Sequence, residues 1–507
     1  MESASLTEST EITVEKPRLK SNAISFVSNI VIAVASVAPA YSLAATLGYI
    51  AAVPMLGYQA PATILIAFFP MAFIAAAYYY MNRADPDCGT TFAWVTKGMG
   101  PWFGWQAGWA LVVADVLVMP SLADVAGNYT FQLFGVNATT AEVVAVGVAW
   151  IIVMTAVCYI GIELSARTQR YLLTLEFVTL VLFAVVALVK VYTQHPPSSV
   201  LPQASWFNPF AIKSASALNG GLLLAVFLYW GWDSGVSVNE ETENPNSAPG
   251  KSAVLSTFIL VAIYLLVATA AQSFGGLDNL VTNQADVLAP LGHGVLGSGL
   301  DKLLIIAVLS SASASTQTTI LPTARTTLSM GRAGAIPKQF ANIHHRYLSP
   351  GFSTLWMGTV SLLVYLLLSV TSHNNLIADA FTSLALTIAF YYGITGFACV
   401  LYYRRHLLDS VKNFVMIGVL PMAGGLILTW VLIKAVIEYS ASDGGYAKPF
   451  LGIGSPIAIA LLTIVLGLIG MVIQRLWMPD FFKNSRPEVV DPAVLARAPA
   501  AKSSRDI

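Results

Sequence analysis

The chain has 507 residues, of which 10% are charged and 56% hydrophobic, and its formal net charge is zero. A soluble domain carries about 25% charged residues, so composition excludes an ordinary soluble globular protein, and the even charge balance gives no reason to expect a nucleic-acid partner. Mean hydropathy is +0.70, and aromatic residues make up 11% of the chain, as belts of Trp and Tyr at two membrane interfaces would require.

The first residues, Met1 to Thr13, are polar and acidic, and the first basic residues are Lys16, Arg18 and Lys20. No small-residue cleavage site follows a short apolar core, so the first apolar run is expected to stay in the protein as a span behind a cytoplasmic segment, 1–22. A spanning helix needs about 20 mostly apolar residues. Twelve such runs occur, roughly at 24–52, 61–81, 102–134, 141–163, 170–192, 217–238, 252–275, 301–329, 352–371, 377–403, 412–439 and 453–476. They predict an all-α transmembrane domain over 23–478. From Pro479 the chain turns polar and Ala/Pro-rich, and 479–507 reads as a flexible cytoplasmic tail.

Basic residues orient the spans. The side shared with the N-terminus holds Arg83, Lys97, Arg167, Arg170, Lys251, Arg325, Arg332, Lys338, Arg346, Arg404, Arg405 and Lys412. The other side holds Lys190, Lys213, Lys302, Lys434 and Lys448. Positive charge stays inside, so both termini are expected in the cytoplasm of a multi-pass protein of the cell membrane. Cys88, Cys158 and Cys399 lie far apart without metal-ligand spacing. His344 and His345 have no partner cluster, and neither a metal nor a cofactor is expected. No nucleophile–base pair falls inside the spans, and no repeated polar ring suggests a channel.

Ionisable groups within a span cost about 2.5–3.5 kcal/mol each on insertion scales, so they mark candidate function. In the sixth run, Gly231 and Gly235 bracket Asp233 and Ser234; a helix broken there exposes backbone groups that can bind charge. In the first run, Ser36-Val-Ala-Pro-Ala-Tyr-Ser42 places Pro39 mid-span, where it removes a backbone donor. Each interruption alone can be a plain kink. Together, five spans apart, they have the pattern of a transporter built from inverted repeats.

Three stretches carry a family resemblance: Gly231-Trp-Asp with Glu240-Glu-Thr-Glu-Asn-Pro245, Thr323-Ala-Arg-Thr-Thr-Leu-Ser-Met-Gly-Arg-Ala-Gly-Ala-Ile-Pro337, and Gly161-Ile-Glu-Leu-Ser-Ala-Arg-Thr-Gln169. With them the chain resembles the amino acid–polyamine–organocation superfamily of permeases over nearly its whole length. The resemblance implies a leucine-transporter-like fold of five plus five inverted spans, 24–192 and 217–403, followed by two extra spans over 412–476. It implies a substrate held at Ser36, Ala38, Pro39 and Tyr41 of span one and at Gly231 and Asp233 of span six, under an aromatic lid from Phe227 or Tyr229. Val37-Ala-Pro-Ala-Tyr41 replaces the family's usual Gly-Ser-Gly-like run and is closer to putrescine importers, as is the stretch around Asp115 in span three. An acid at 115 suits an amine.

Glu176 stands where some proton-coupled members carry a lysine, and a carboxyl buried in span five suits a coupling proton; the alternative is a solvated Glu, or one paired with Arg170. Span eight offers hydroxyls, Ser311 and Ser315 among them, where sodium-coupled relatives ligate the ion; close helix packing is the competing reason for them. Asp379 reads as a solvated residue at the outer start of span ten, and Thr382, Ser383 and Thr387 as hydroxyls bonded back to their own helix. The expected function is proton-coupled import of amino acids across the cell membrane. The alternatives are a polyamine or monoamine importer, or a sodium-coupled amino-acid exchanger. The expected partners are the small substrate, protons and the lipid bilayer.

Overall fold

The computed structural model describes residues 18–442 and 444–490; the first seventeen residues of the expected cytoplasmic segment and residues 491–507 of the expected tail lie outside the described residues. Among the described residues every regular element is a helix, with isolated β-bridges at Ile24–Thr242 and Phe450–Ile453. In chain order the helices are α1 (Phe26–Val37), α2 (Pro39–Ala51), α3 (Ala60–Ala84), α4 (Thr91–Met99), α5 (Pro101–Phe134), α6 (Thr140–Ile160), α7 (Ile162–Thr193), α8 (Ala215–Leu228) and α9 (Ser234–Ser237). They continue with α10 (Ala248–Thr282), α11 (Leu288–Leu296), α12 (Lys302–Arg332), α13 (Gly351–Tyr402), α14 (Val411–Asn413), α15 (Leu420–Ser440), α16 (Ser455–Trp477) and α17 (Pro479–Asn484).

Eleven stretches are long and apolar enough to cross a membrane, α13 contributing two of them, Gly351–Thr371 and Asn375–Tyr402. The sequence run at 217–238 is the exception to the expected twelve. It divides into the 14-residue α8 and the four-residue α9, with Tyr229–Asp233 non-helical between them. At 1.5 Å per residue α8 reaches about 21 Å, short of the ~30 Å hydrocarbon layer. The cause is Gly231, whose φ of +116° lies where side chains are rarely accommodated.

Burial sorts the spans into an inner and an outer set. The share of each span buried inside the protein is 83% for Phe26–Ala51 and Asn375–Tyr402 and 78% for Pro101–Phe134 and Lys302–Arg332. It falls to 33% for Val411–Ser440 and 28% for Ser455–Trp477. The outer helices turn Leu, Ile and Val side chains such as Leu462, Val465 and Ile469 outward, as a lipid-facing surface demands. The inner four, with α7 and the break before α9, carry the chemistry described below.

Both described ends lie on one face of the bundle. The N–H groups of Ala23 and Ile24 donate to the Glu241 carbonyl (2.8 and 3.0 Å), and that of Val490 to the Tyr402 carbonyl (3.1 Å). The 85–97 segment joins the two regions, since Cys88 N–H donates to Glu240 (3.2 Å) and the Lys97 carbonyl accepts from Glu488 N–H (2.7 Å). Residues 479–484, expected to belong to the flexible tail, are instead helical. α17 buries Phe481 and Phe482, which pack on Phe92 and Trp102 at 5.7 and 4.9 Å between ring centroids. Two adjacent phenylalanines supply the apolar area that the Ala/Pro-rich sequence around them lacks.

The same face is closed by a polar network. Arg325, 2% exposed, pairs with buried Glu241 at 2.6 Å, and Arg332 spans both oxygens of Glu240 at 2.8 and 2.9 Å. On the opposite face α11 docks against α2, Val287 N–H donating to the Ala44 carbonyl (3.1 Å). There Asp379 departs from its expected solvated state. It is fully buried and accepts from Tyr446 N–H and Ala447 N–H (2.8 Å each) and from the Ser455 hydroxyl. The segment between α15 and α16 folds over it, which solvates the carboxylate with backbone amides in place of water.

Candidate substrate site at two broken spans

The first break is a junction between two helices. Ala38 adopts a left-handed conformation (φ 51°, ψ 64°), ends α1 with an N–H bond to the Ala35 carbonyl (3.1 Å), and starts α2. Pro39 is therefore the first residue of α2, where its missing N–H is no loss, rather than a kink inside one span. Such a junction leaves carbonyls at the end of α1 and amides at the start of α2 to be satisfied. Ala40 N–H donates to Glu176 Oε1 (2.7 Å) and Tyr41 N–H to Ser311 Oγ (3.2 Å), while Ser42 N–H turns back to the Ala38 carbonyl (2.8 Å). Ser315 Oγ donates to the Ser36 carbonyl (3.1 Å) and Ser42 Oγ to that of Val37 (2.7 Å).

The second break lies against the first. The hydroxyls of Ser36 and Ser234 are 2.6 Å apart. A Cβ on Gly231 would meet the Ser36 carbonyl oxygen at 2.8 Å, so only glycine permits this approach. Asp233, at the head of α9, accepts from Tyr392 Oη at 2.7 Å and Tyr391 Oη at 3.3 Å. Trp230 Nε1 donates to Tyr391 Oη (2.6 Å), and Tyr392 stacks on Trp232 at 5.2 Å. α13 thus holds the Asp233 carboxylate in place through two phenols.

Glu176 on α7 is fully buried and takes part in no ion pair among the described residues; Arg170 instead reaches the Ser28 hydroxyl (2.8 Å). The solvated or Arg170-paired alternative is thereby excluded. Its Oε1 also accepts from Ser311 Oγ (2.9 Å), whereas Oε2 is buried with no hydrogen-bond partner among the described residues. The helix N-terminus favours negative charge at Oε1. Asp115 on α5 accepts from Thr323 Oγ1 of α12 at 2.6 Å and is close enough to feel the Asp233 carboxylate.

Above the breaks, Phe227 meets Phe381 edge-on at 4.3 Å, and Phe381 in turn faces Tyr41 at 6.4 Å. Tyr229 is placed elsewhere. It is wholly buried with its hydroxyl on the Ile64 carbonyl (3.0 Å), against α3, because the chain has already left helical register at that point. Of the two expected lid residues, Phe227 packs on Phe381 while Tyr229 turns toward α3. Thr382, Ser383 and Thr387 bond back to their own helix, as do Ser310, Ser313 and Thr316. Ser311 and Ser315 differ from those neighbours in pointing across to α1, α2 and α7.

Sequence reasoning missed Tyr391, Tyr392, Thr323 and Phe381. The tyrosine pair had a readable signal, two adjacent phenols inside an otherwise apolar span, each needing a partner there. Thr323 had none, since hydroxyls recur through α12.

Interrupted apolar helices meeting around buried carboxylates are an arrangement found in membrane transport proteins. A family model described as "Amino acid permease" matches residues 24–466. The chain belongs to that family, whose members are permeases and not enzymes. Among curated proteins it is similar to an uncharacterized transporter of Mycobacterium tuberculosis, 27% identical over 298 residues, covering 57% of this chain and 63% of that one. It is also similar to the branched-chain amino acid permease BcaP of Bacillus subtilis, 24% identical over 60% of this chain and 66% of the relative. An arginine/ornithine antiporter of Latilactobacillus sakei is 21% identical over 72% of this chain and 77% of its own length. The chain thus spans somewhat under two thirds of the mycobacterial and Bacillus relatives it matches.

Proposed function

We propose that the protein is a secondary active importer of amino acids coupled to protons. The split run Ala215–Ser237 makes the twelfth crossing, and the first ten crossings form two inverted repeats of five. The face holding both described ends is cytoplasmic. The observation that carries this reading is the contact between the two breaks, with Ser36 and Ser234 at 2.6 Å and Gly231 against the Ser36 carbonyl. Breaks in the first and sixth of twelve crossings are what an inverted repeat produces.

Glu176 is the coupling group of this reading. Its Oε1 binds the start of α2 and the Ser311 hydroxyl, so gain or loss of a proton there alters the contact between α2, α7 and α12. Uptake into proteoliposomes under an imposed pH gradient, acid outside and without sodium, tests it. Accumulation that follows the gradient supports proton coupling, and uptake that ignores the gradient but follows sodium refutes it.

One observation favours a cationic amine or a basic amino acid as the cargo. Around the first break no amide is left over: Pro39 has none, and those of Ala40, Tyr41 and Ser42 are all engaged. Acceptors remain, because a carbonyl such as that of Ser36 has a second lone pair, and Asp233, Asp115 and Glu176 Oε2 line the same region. The one fully buried base on the inner spans, Arg325, is committed to Glu241. An acceptor-rich site without a counter-cation suits an ammonium better than a carboxylate. Competition of a labelled neutral amino acid by lysine, ornithine and a diamine separates the two; preference for the neutral compound removes the amine reading.

A further inference from the structure

A groove of about 350 Å³ lies between α6 and the first half of α13, apart from both breaks. These two spans are only 33% and 28% buried inside the protein, so the groove opens on the outer, lipid-facing surface. Its floor includes Ile151, Thr155 and Gly358, all buried, and its rim Ile152, Ala156 and Leu355, all exposed. The helices approach closely there because α13 meets α6 at a glycine: a Cβ on Gly358 would lie 2.5 Å from the Thr155 side chain. Thr155 donates its hydroxyl back to the Ile151 carbonyl (2.7 Å), so this part of the floor asks for no polar partner.

The groove changes character at Tyr159. This end lies on the face where the described chain begins, since Lys20 ahead of α1 pairs with Glu163 just beyond Tyr159 at 2.8 Å. The Tyr159 ring packs with His344 at 5.5 Å and Tyr347 at 5.8 Å, and Arg346 stands over the Tyr347 ring at 5.5 Å. Ser349 Oγ fastens this collar by donating to the Tyr159 carbonyl (2.7 Å). The Arg346 side chain is exposed and pairs with no carboxylate among the described residues, and the hydroxyls of Tyr159 and Tyr347 make no hydrogen bond among them. An apolar slot thus ends in one positive charge without a counter-ion and two unengaged phenol donors.

We propose that this groove holds a chain of an anionic phospholipid, with the headgroup phosphate on Arg346 and on the Tyr159 and Tyr347 hydroxyls. Lipid tails are as apolar as Leu, so the slot alone gains little by taking one up, and the collar decides the occupant. A guanidinium meets two phosphate oxygens at once, tyrosines sit at headgroup level, and basic pockets at span ends hold anionic headgroups. A zwitterionic phospholipid brings the same phosphate with a cation beside it, which Arg346 repels. A second copy of this chain on the same face would leave Arg346 without a counter-ion unless it supplied an acid there. Gly161, the turn from α6 into α7, lies against the same collar, its Cβ position 3.4 Å from the Tyr347 carbonyl oxygen. A bound lipid therefore braces the loop before α13 against the start of the helix that carries Glu176. The proposal rests on the fold and not on which solute is carried.

Thermal unfolding of the purified full chain in mixed detergent micelles tests it, with phosphatidylglycerol and phosphatidylcholine of identical acyl chains at matched mole fractions and fixed ionic strength. Phosphatidylglycerol is expected to raise the midpoint in a saturable way, at roughly a tenth of the mole fraction that phosphatidylcholine needs, as one charge-assisted bond implies. Arg346→Gln changes an exposed side chain and should bring the phosphatidylglycerol response down to that of phosphatidylcholine. Ala156→Phe, which fills the groove from its exposed rim, should abolish the saturable response to either lipid. The proposal is overturned if the parent does not distinguish the two lipids, if Arg346→Gln keeps the parent's preference, or if Ala156→Phe responds like the parent. A dimer in light scattering that Ala156→Phe dissociates assigns the groove to a second copy and overturns it as well. Arg346→Gln leaves the packed interior untouched, so it decides the matter even where Ala156→Phe fails to fold.

Discussion

Glu176 holds the start of α2 with one carboxyl oxygen and leaves the other buried with no hydrogen-bond partner among the described residues. Glu176→Gln keeps the shape and an oxygen acceptor while removing the titratable group. It is expected to abolish the dependence of uptake on the pH gradient while leaving binding of a neutral amino acid within about twofold, measured as gradient-driven uptake alongside equilibrium binding. Asp115 is held by a single hydroxyl, Thr323. Asp115→Asn should weaken diamine binding by roughly tenfold or more, the value of a charge-assisted bond, and leave neutral amino acids little changed; equal losses for both would remove its role in charge selection. Ala38 is a different kind of residue, notable for its backbone and not for its side chain. A non-glycine left-handed residue is strained by about 1–2 kcal/mol, and a β-branched one by more. Ala38→Val is therefore expected to lower the unfolding midpoint, while Ala38→Gly leaves it unchanged or raises it.

At the scale of elements, the two breaks depend on one close approach. A methyl group at Gly231 would meet the Ser36 carbonyl at 2.8 Å, and its φ of +116° penalises any side chain as well. Gly231→Ala should cost about 2 kcal/mol or more at this contact and reduce substrate binding roughly tenfold or more, read by binding to protein that still purifies as a monodisperse species. The Arg325–Glu241 pair sits at the other end of these elements. Arg325→Gln strands a buried carboxylate, a loss of about 3–5 kcal/mol, whereas replacing both partners by apolar residues should recover much of the midpoint. Much of this level was legible in the sequence. Hydropathy located eleven of the spans because a helix in lipid must satisfy its own backbone, and glycine and proline marked both breaks. The nature of the breaks was less legible. Pro39 reads as a kink until the left-handed Ala38 is seen to end one helix and start the next, a conformation no residue type announces. Tyr229 and Asp379 were misjudged because the direction of a side chain depends on its neighbours. Tyr229 falls where the helix has ended, and Asp379 is covered by a segment more than sixty residues later.

At the scale of the whole molecule, the polar groups come from the four most buried spans together with Glu176 of α7 and Asp233 before α9, and the least buried helices face outward. Arg325–Glu241 and Arg332–Glu240 bridge elements at one face, and α11 and the Asp379-bound segment pack over the other. The buried carboxylates lie between these two layers. The most direct test of this account is uptake of labelled amino acid by the purified protein in proteoliposomes, with an inward proton gradient and no sodium. The account predicts accumulation above the external concentration that collapses when the gradient is dissipated and is absent in Gly231→Ala. Equilibration without accumulation, or accumulation that survives dissipation of the proton gradient, would contradict it.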